Sequence, residues 1–312
     1  REEQTLDNLL GKLSNDFFTL LDSVTIARSR KHIQKYYKNS NIGDFPERLK
    51  PKSIRPELTD LDGVNFDIVA EMIYDLNLEV YNPLRFVLPS KLSKYVDFDT
   101  RQAASWQNRE SGRNVLMRSN LLKRIESSVH AFRITVGNVL NLVNDSIGSI
   151  EDFEKGKIEK FTVENQYIDD LDAEDQDAFS VGKELKIQIS DMDYKSWKNE
   201  LLRDKEIFEN ILNMIEPVRG SHDLKLKALF ELIENKIKNP INANNKKLII
   251  FTAFSNTADY IYDGIADEIF RKYGLHAAII TGSSSPRTTL KKIRPEFNEV
   301  LTYFSPKSKN RD

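Results

Sequence analysis

The sequence predicts a mostly α-helical protein with a smaller α/β part at its carboxyl end. Apolar residues step by three and four positions through the two stretches 113–144 and 194–215, the pattern of amphipathic helices. Two short apolar runs follow in the last quarter of the chain, separated by a helical pattern, and such runs are typical of strands covered on both faces. We therefore expect a helical bundle followed by the start of a parallel sheet.

Composition excludes several classes of protein. The chain has 312 residues, 30% of them charged and 39% hydrophobic, which predicts a soluble protein with more than one core. A net charge of −2 argues against a uniformly basic nucleic-acid-binding coat, and the lack of cysteine excludes disulfides and thiolate chemistry. No apolar run approaches the roughly 18–20 residues that span a bilayer. A cytoplasmic protein without metal or membrane partner is expected.

The amino-terminal region carries a basic run. Five positive charges and no acid lie between positions 28 and 38, on a helical pattern. Two interpretations stay open, a solvated helix face and a contact for nucleic acid. The residues concerned are Arg28, Arg30, Lys31, Lys35 and Lys38.

Two apolar seams predict the bundle. The first runs within 113–144 as one helix of about eight turns, and the second lies within 194–215. We expect these helices to pack as an antiparallel pair in a bundle that includes residues 66–78. The seams consist of Leu122, Ile125, Val129, Phe132, Val136, Val139 and Val143, and of Tyr194, Trp197, Leu201, Phe208, Ile211 and Ile215.

Between the seams lies an acidic segment, 151–177. It has eleven acids and three lysines, a net charge of −8. Such a segment repels itself and buries little apolar surface, so we expect a loosely packed excursion on the surface.

The carboxyl-terminal part reads as strand, helix and strand. The apolar run 248–251 predicts one strand and 277–280 a second, with a helix ending at Gly274 between them. A third strand is expected near 300–304. A sheet of so few strands leaves its edges uncovered, so three outcomes stay open: the carboxyl-terminal part pairs with another copy, is partly disordered, or is covered by the helical bundle.

This order of motifs resembles that of the Swi/Snf-type and RapA-like DNA translocases of helicase superfamily two. The resemblance is carried by Lys247-Leu-Ile-Ile-Phe-Thr-Ala-Phe254, by Thr281-Gly-Ser-Ser284 with Arg287 behind it, and by Phe297-Asn298. Upstream, Arg28-Ser-Arg-Lys-His-Ile33, Leu49-Lys-Pro-Lys-Ser53 and Glu57-Leu-Thr59 follow in the family's order. The resemblance implies an exit from the first RecA-like lobe (1–60), a helical insertion (61–220) and the start of the second RecA-like lobe (221–312).

The resemblance also implies that the protein contacts the sugar-phosphate backbone of duplex DNA, and that this contact does not depend on base sequence. The loop after the second strand carries this role, with Arg287 expected to begin the next helix and an ordinary turn as the alternative. A net charge of +4 over 281–312 suits phosphate binding. The expected contacts are Thr281, Gly282, Ser283, Arg287 and Thr252, with Arg28, Arg30 and Lys31 upstream.

The motifs that bind ATP do not occur in this sequence. It has neither a phosphate-binding Gly-x-x-x-x-Gly-Lys-Ser/Thr loop nor an apolar run that ends in two carboxylates, nor the family's arginine-finger motif. ATP and magnesium are expected for a larger parent protein, with its other lobes as partners. Two alternatives stay open: a non-enzymatic helical interaction module with a small α/β cap, and a nucleotide-binding domain, which the lack of Gly-x-Gly-x-x-Gly disfavours.

The first prediction concerns activity. Because the phosphate loop and magnesium carboxylates are missing, this chain should hydrolyse no ATP above buffer, with or without DNA. A phosphate-release assay checks this, and a DNA-stimulated rate that persists through further purification would contradict it.

Overall fold

The computed structural model describes residues 49–95, 102–163, 185–242, 245–282 and 284–306. The chain divides into two compact units, Arg1–Ile54 and Arg55–Asp312. Nearly all of the first unit lies outside the described residues, as does the basic run at 28–38.

The second unit is mostly helical, with short two-stranded sheets. Among the described residues, no helix combines the length and apolar composition needed to cross a bilayer. The α-helices are α1 (Phe66–Asp75), α2 (Gln102–Ser127), α3 (Val129–Glu154), α4 (Tyr194–Ile215), α5 (Leu224–Lys238), α6 (Ser255–Tyr273) and α7 (Phe297–Phe304). The strands are β1 (Lys160–Val163), β2 (Leu185–Gln188), β3 (Ala278–Ile279) and β4 (Arg287–Thr288).

Helices α3 and α4 form the antiparallel pair that the seams predict. Lys198, near the start of α4, lies 3.1 Å from the carboxylate of Glu154 at the end of α3. At the other end, Arg133 Nη2 donates to the carbonyl of Ile215 over 2.7 Å. Helix α1 packs on both α2 and α4, so the bundle around residues 66–78 is confirmed. Its fully buried side chains include Phe132, Val136, Val143, Trp197, Leu201, Phe208 and Ile211.

The prediction of one helix over 113–144 was wrong. Ser128 is extended (φ −159°, ψ 146°) and separates α2 from α3. Its hydroxyl accepts a hydrogen bond from the amide of Ala131 and so caps α3. Ile125 and Val129 are buried on either side of it, which is why the apolar pattern passes through the break unchanged.

A buried carboxylate holds the loop that follows α1. Asp204 of α4 accepts hydrogen bonds from the amides of Asn77 (2.7 Å) and Glu79 (3.3 Å). Between them Leu78 adopts a left-handed conformation, φ 58°, which is unfavourable for a branched side chain. Burial raises the pKa of Asp204, while the loop amides act in the opposite direction. Trp197 adds a hydrogen bond from Nε1 to the carbonyl of Glu79.

The beginning of the acidic segment contributes to a helix and to a strand. Residues 151–154 end α3, and β1 pairs with β2 in an antiparallel ribbon, Lys160 opposite Gln188. Residues 164–184 lie outside the described residues. The loose packing expected of the acidic segment therefore does not hold for the part in α3 and β1, and it stays a prediction for residues 164–177.

The carboxyl-terminal part is built on a helix pair. Helices α5 and α6 enclose a small core of their own, formed by Ile233, Ile237, Ile265 and Ile269. Residues 248–251 form no strand, and 300–304 belong to α7, so both of these strand predictions were wrong. The strand expected at 277–280 is present as β3, but its partner is the antiparallel β4. No parallel pair occurs among the described residues, because the apolar run has no strand beside it.

Helix α6 is attached to the corner between α2 and α3. The Thr257 hydroxyl lies 2.8 Å from that of Ser127 and 3.0 Å from that of Ser128. One turn further on, the Tyr260 ring stacks on His130 at 4.8 Å between centroids. The two cores are therefore joined through polar and aromatic contacts.

The second prediction tests the bundle core. Phe132→Ala and Ile211→Ala remove fully buried side chains from α3 and α4, and each should lower the free energy of unfolding by about 2–5 kcal/mol. Leu202→Ala on α4 is the control, since Leu202 is 44% exposed and should cost less than about 0.5 kcal/mol. Urea denaturation measures all three. Losses near the control value for both core variants would show that these helices do not share one core.

The third prediction concerns the loop anchor. Asp204→Asn leaves one acceptor oxygen for two amides and turns an NH₂ group toward an N–H donor, so it should cost about 1–3 kcal/mol. Glu200→Gln is the matched control, because a glutamine retains the oxygen that accepts the 2.6 Å hydrogen bond from Asn77 Nδ2. Chemical denaturation compares the two variants. Equal stability of Asp204→Asn and wild type would contradict the anchoring role.

Candidate nucleic-acid interface

The expected DNA-contacting loop is the connection of a β-hairpin. Ala278 pairs with Thr288 and Ile279 with Arg287, so residues 280–286 join the two strands. Arg287 therefore lies in β4 and does not begin a helix, which corrects the prediction. The next described helix is α7, which starts at Phe297. Hairpin pairing brings Thr281, Gly282 and Arg287 to the same end of this small sheet.

The loop is held by its own hydroxyls. Thr281 Oγ1 lies 2.6 Å from the Ser284 hydroxyl and accepts a 3.1 Å hydrogen bond from the Ser284 amide. Gly282 is exposed, and a Cβ added there would meet nothing within 4 Å. The backbone at Gly282 is therefore open to an approaching phosphate, although space alone does not require glycine.

Arg287 is engaged by α6. Its Nη2 lies 2.6 Å from Asp259 Oδ1 and its Nη1 2.7 Å from Asp263 Oδ1. The guanidinium carbon also lies 4.8 Å from the centre of the Tyr262 ring. Hydrogen bonding to Asp263, and to Asp259 as well, raises the pKa of Arg287. The predicted phosphate ligand is thus paired with two carboxylates in this conformation.

The remaining predicted contacts are not brought to the hairpin. Thr252 is half-buried just before α6, and its hydroxyl donates to the carbonyl of Phe254 over 2.9 Å. Ser283 and the upstream residues Arg28, Arg30 and Lys31 lie outside the described residues. Of the sequence-based set, only Thr281, Gly282 and Arg287 therefore share one described location.

Sequence reasoning missed the two aspartates that hold Arg287. Asp259 and Asp263 are four residues apart, so they lie on one face of α6. This spacing is visible in the sequence, but the basic partner comes from a hairpin that the sequence did not predict. The signal available in the sequence was the i, i+4 spacing of Asp259 and Asp263 on a predicted helix, which favours a basic partner such as Arg287.

Three further cations follow the hairpin. Lys291 and Lys292 lie in an exposed turn after β4, and Arg294 is exposed just beyond them. Within the described part of the chain, none of their side chains forms an ion pair. They are available to an anionic partner, whereas Arg287 is already paired.

The described histidines have structural neighbours. His222 lies 2.9 Å from Asp60, whose pKa Lys227 and His222 lower to about 2. His276 contacts the Thr289 hydroxyl at 3.2 Å, and burial lowers the pKa of His130. Nowhere in the described ranges do three or more His, Asp or Glu side chains form a group that could hold a metal ion.

Comparison with known proteins adds no relative to this picture. No family model, curated protein or solved structure matches the chain. Its function must therefore be inferred from its own residues.

Proposed function

We propose that this chain contributes a helical brace and a DNA-backbone contact to an ATP-dependent DNA translocase of the Swi/Snf type. The proposal rests on one observation, an uncovered apolar run directly ahead of α6. Leu248, Ile249 and Ile250 are 43%, 59% and 40% exposed, and Phe251 is 90% exposed. A run of this composition is typical of a central strand, yet it is exposed and pairs with no strand of the described residues.

The exposure supports a sheet completed by other polypeptide. Fully burying one such side chain is worth roughly 1.5–3 kcal/mol, so four together strongly favour a covered state. The run precedes α6, and α6 precedes β3, which is the order of strand, helix and strand in a RecA-like lobe. In the proposed parent, neighbouring strands of the second lobe cover 248–251 and pair with β3.

The helical unit suits a brace. Helices α3 and α4 bury one continuous core, and the corner at Ser128 contacts Thr257 of α6 directly. In the proposed parent, a displacement of α6 would act through this contact on the antiparallel pair of α3 and α4. In the proposed parent, ATP and magnesium bind elsewhere, and this pair steadies the second lobe as the lobes open and close.

The DNA contact is assigned to the hairpin loop and the turn behind it. The backbone near Gly282 is open, and the cations Lys291, Lys292 and Arg294 are exposed. Contacts of this kind position a protein on phosphates without reading bases. Binding is therefore expected to be independent of sequence and sensitive to salt.

A second function is favoured by the state of Arg287. Asp259 and Asp263 already neutralise the charge of Arg287. The electrostatic potential at the hairpin is therefore less positive than the hairpin's own composition suggests. The same exposed run at 248–251 would then serve a non-enzymatic interaction module, pairing with a strand of a protein partner. The two functions differ in whether the chain binds DNA.

The fourth prediction separates them by fluorescence anisotropy on a labelled duplex of mixed sequence. The chain should bind weakly, with affinity falling steeply between about 50 and 200 mM salt. Lys291→Ala with Lys292→Ala should reduce the salt slope by roughly two units, because each lost phosphate contact releases about one counterion fewer.

The matched control is Lys123→Ala with Lys195→Ala, which removes two exposed lysines from the helical unit. This variant should bind like wild type. Equal losses in both double variants would mean that binding reflects overall charge and not this surface. Absence of salt-dependent binding at low salt would reject the DNA contact and favour the interaction module.

A further inference from the structure

We propose that Asp259 and Asp263 regulate the DNA contact by competing with phosphate for Arg287. This inference rests on the proposed function and concerns the same hairpin. Each carboxylate holds a different terminal nitrogen of the guanidinium, at 2.6 and 2.7 Å. Their oxygens occupy the positions from which phosphate oxygens would accept the same hydrogen bonds.

Charge explains why the paired state excludes phosphate. One arginine and two aspartates sum to +1 − 2 = −1, so the group repels an anion although it contains the expected ligand. The Arg287 side chain is still 41% exposed. Solvent therefore reaches the guanidinium, and phosphate is opposed both by the occupied hydrogen-bond positions and by the net negative charge of the group.

The paired state is reversible for two reasons. Exposed ion pairs contribute little, so a polyanion with many phosphates is able to displace them. The hairpin is also short, with two residue pairs between β3 and β4, and it has no third strand among the described residues. Release of Arg287 requires a small movement of this hairpin away from α6.

Helix α6 links this contact to the brace. Asp259, Tyr262 and Asp263 of α6 engage Arg287, while Thr257 and Tyr260 of the same helix contact the α2–α3 corner. A shift of α6 against the bundle would move the carboxylates relative to the hairpin. The availability of Arg287 thus follows the position of α6.

The fifth prediction removes the competing charges. Asp259→Asn with Asp263→Asn retains the shape of both side chains but removes their charges. It should tighten binding of the labelled duplex roughly tenfold at low salt, because Arg287 no longer has to break two weak ion pairs before it contacts phosphate. The salt slope should steepen by about one unit as Arg287 joins the phosphate contacts. Adding Arg287→Ala to this variant should return both values to those of wild type.

The matched control is Asp267→Asn with Glu268→Gln, which removes two exposed carboxylates from the same helix. It should change affinity by less than about twofold. A gain equal to that of Asp259→Asn with Asp263→Asn would overturn the proposal, as would a gain that survives Arg287→Ala. Circular dichroism of each variant verifies that α6 remains folded.

The outcomes distinguish failure of the proposed competition for Arg287 from failure of the proposed DNA contact. If wild type binds DNA through Lys291 and Lys292 but the Asp259 and Asp263 variant binds no better, only the competition is wrong. If neither protein binds at low salt, the DNA contact and its regulation are both wrong.

Discussion

The fold depends on one buried carboxylate, that of Asp204, which fixes the loop between α1 and α2. Without it the amides of Asn77 and Glu79 would be buried near a left-handed Leu78 with no acceptor. The same loop receives hydrogen bonds from Asn114 and Arg118 of α2, to the carbonyls of Asn77 and Leu76. One short segment after α1 is therefore tied by hydrogen bonds to both α2 and α4.

Sequence predicted the bundle well because helical periodicity reports burial directly. The α3–α4 pair, its antiparallel direction and the inclusion of α1 all followed from which side chains must avoid water. Periodicity did not reveal the break at Ser128, since one extended residue leaves Ile125 and Val129 facing the same core. The Asp204 anchor was equally hidden, because a polar residue on an apolar face becomes informative only when its distant partners are known.

The α/β part was predicted less well, for a different physical reason. The apolar composition of a run such as 248–251 predicts that it is buried against other chain, but it does not identify the strand that would cover it. Within the described residues the run has none, and β3 pairs with β4 through a local hairpin, which costs less loop entropy than a distant partner. The sequence predicted the location of the loop at 281–284. It did not predict the pairing of Arg287 with α6, because that pairing depends on β4 running back antiparallel to β3.

Arg287 is paired in the structure, and the proposed DNA contact would require a second, incompatible use of the same side chain. Bound to Asp259 and Asp263, it fastens the hairpin to α6; bound to phosphate, it would leave those carboxylates unpaired beside a polyanion. Lys291 and Lys292 are exposed and form no ion pair with the described residues, so contact with phosphate would break no existing pair of theirs. In the proposed DNA complex, the lysines would supply a constant attraction to phosphate, whereas Arg287 would add its contact only after release from Asp259 and Asp263.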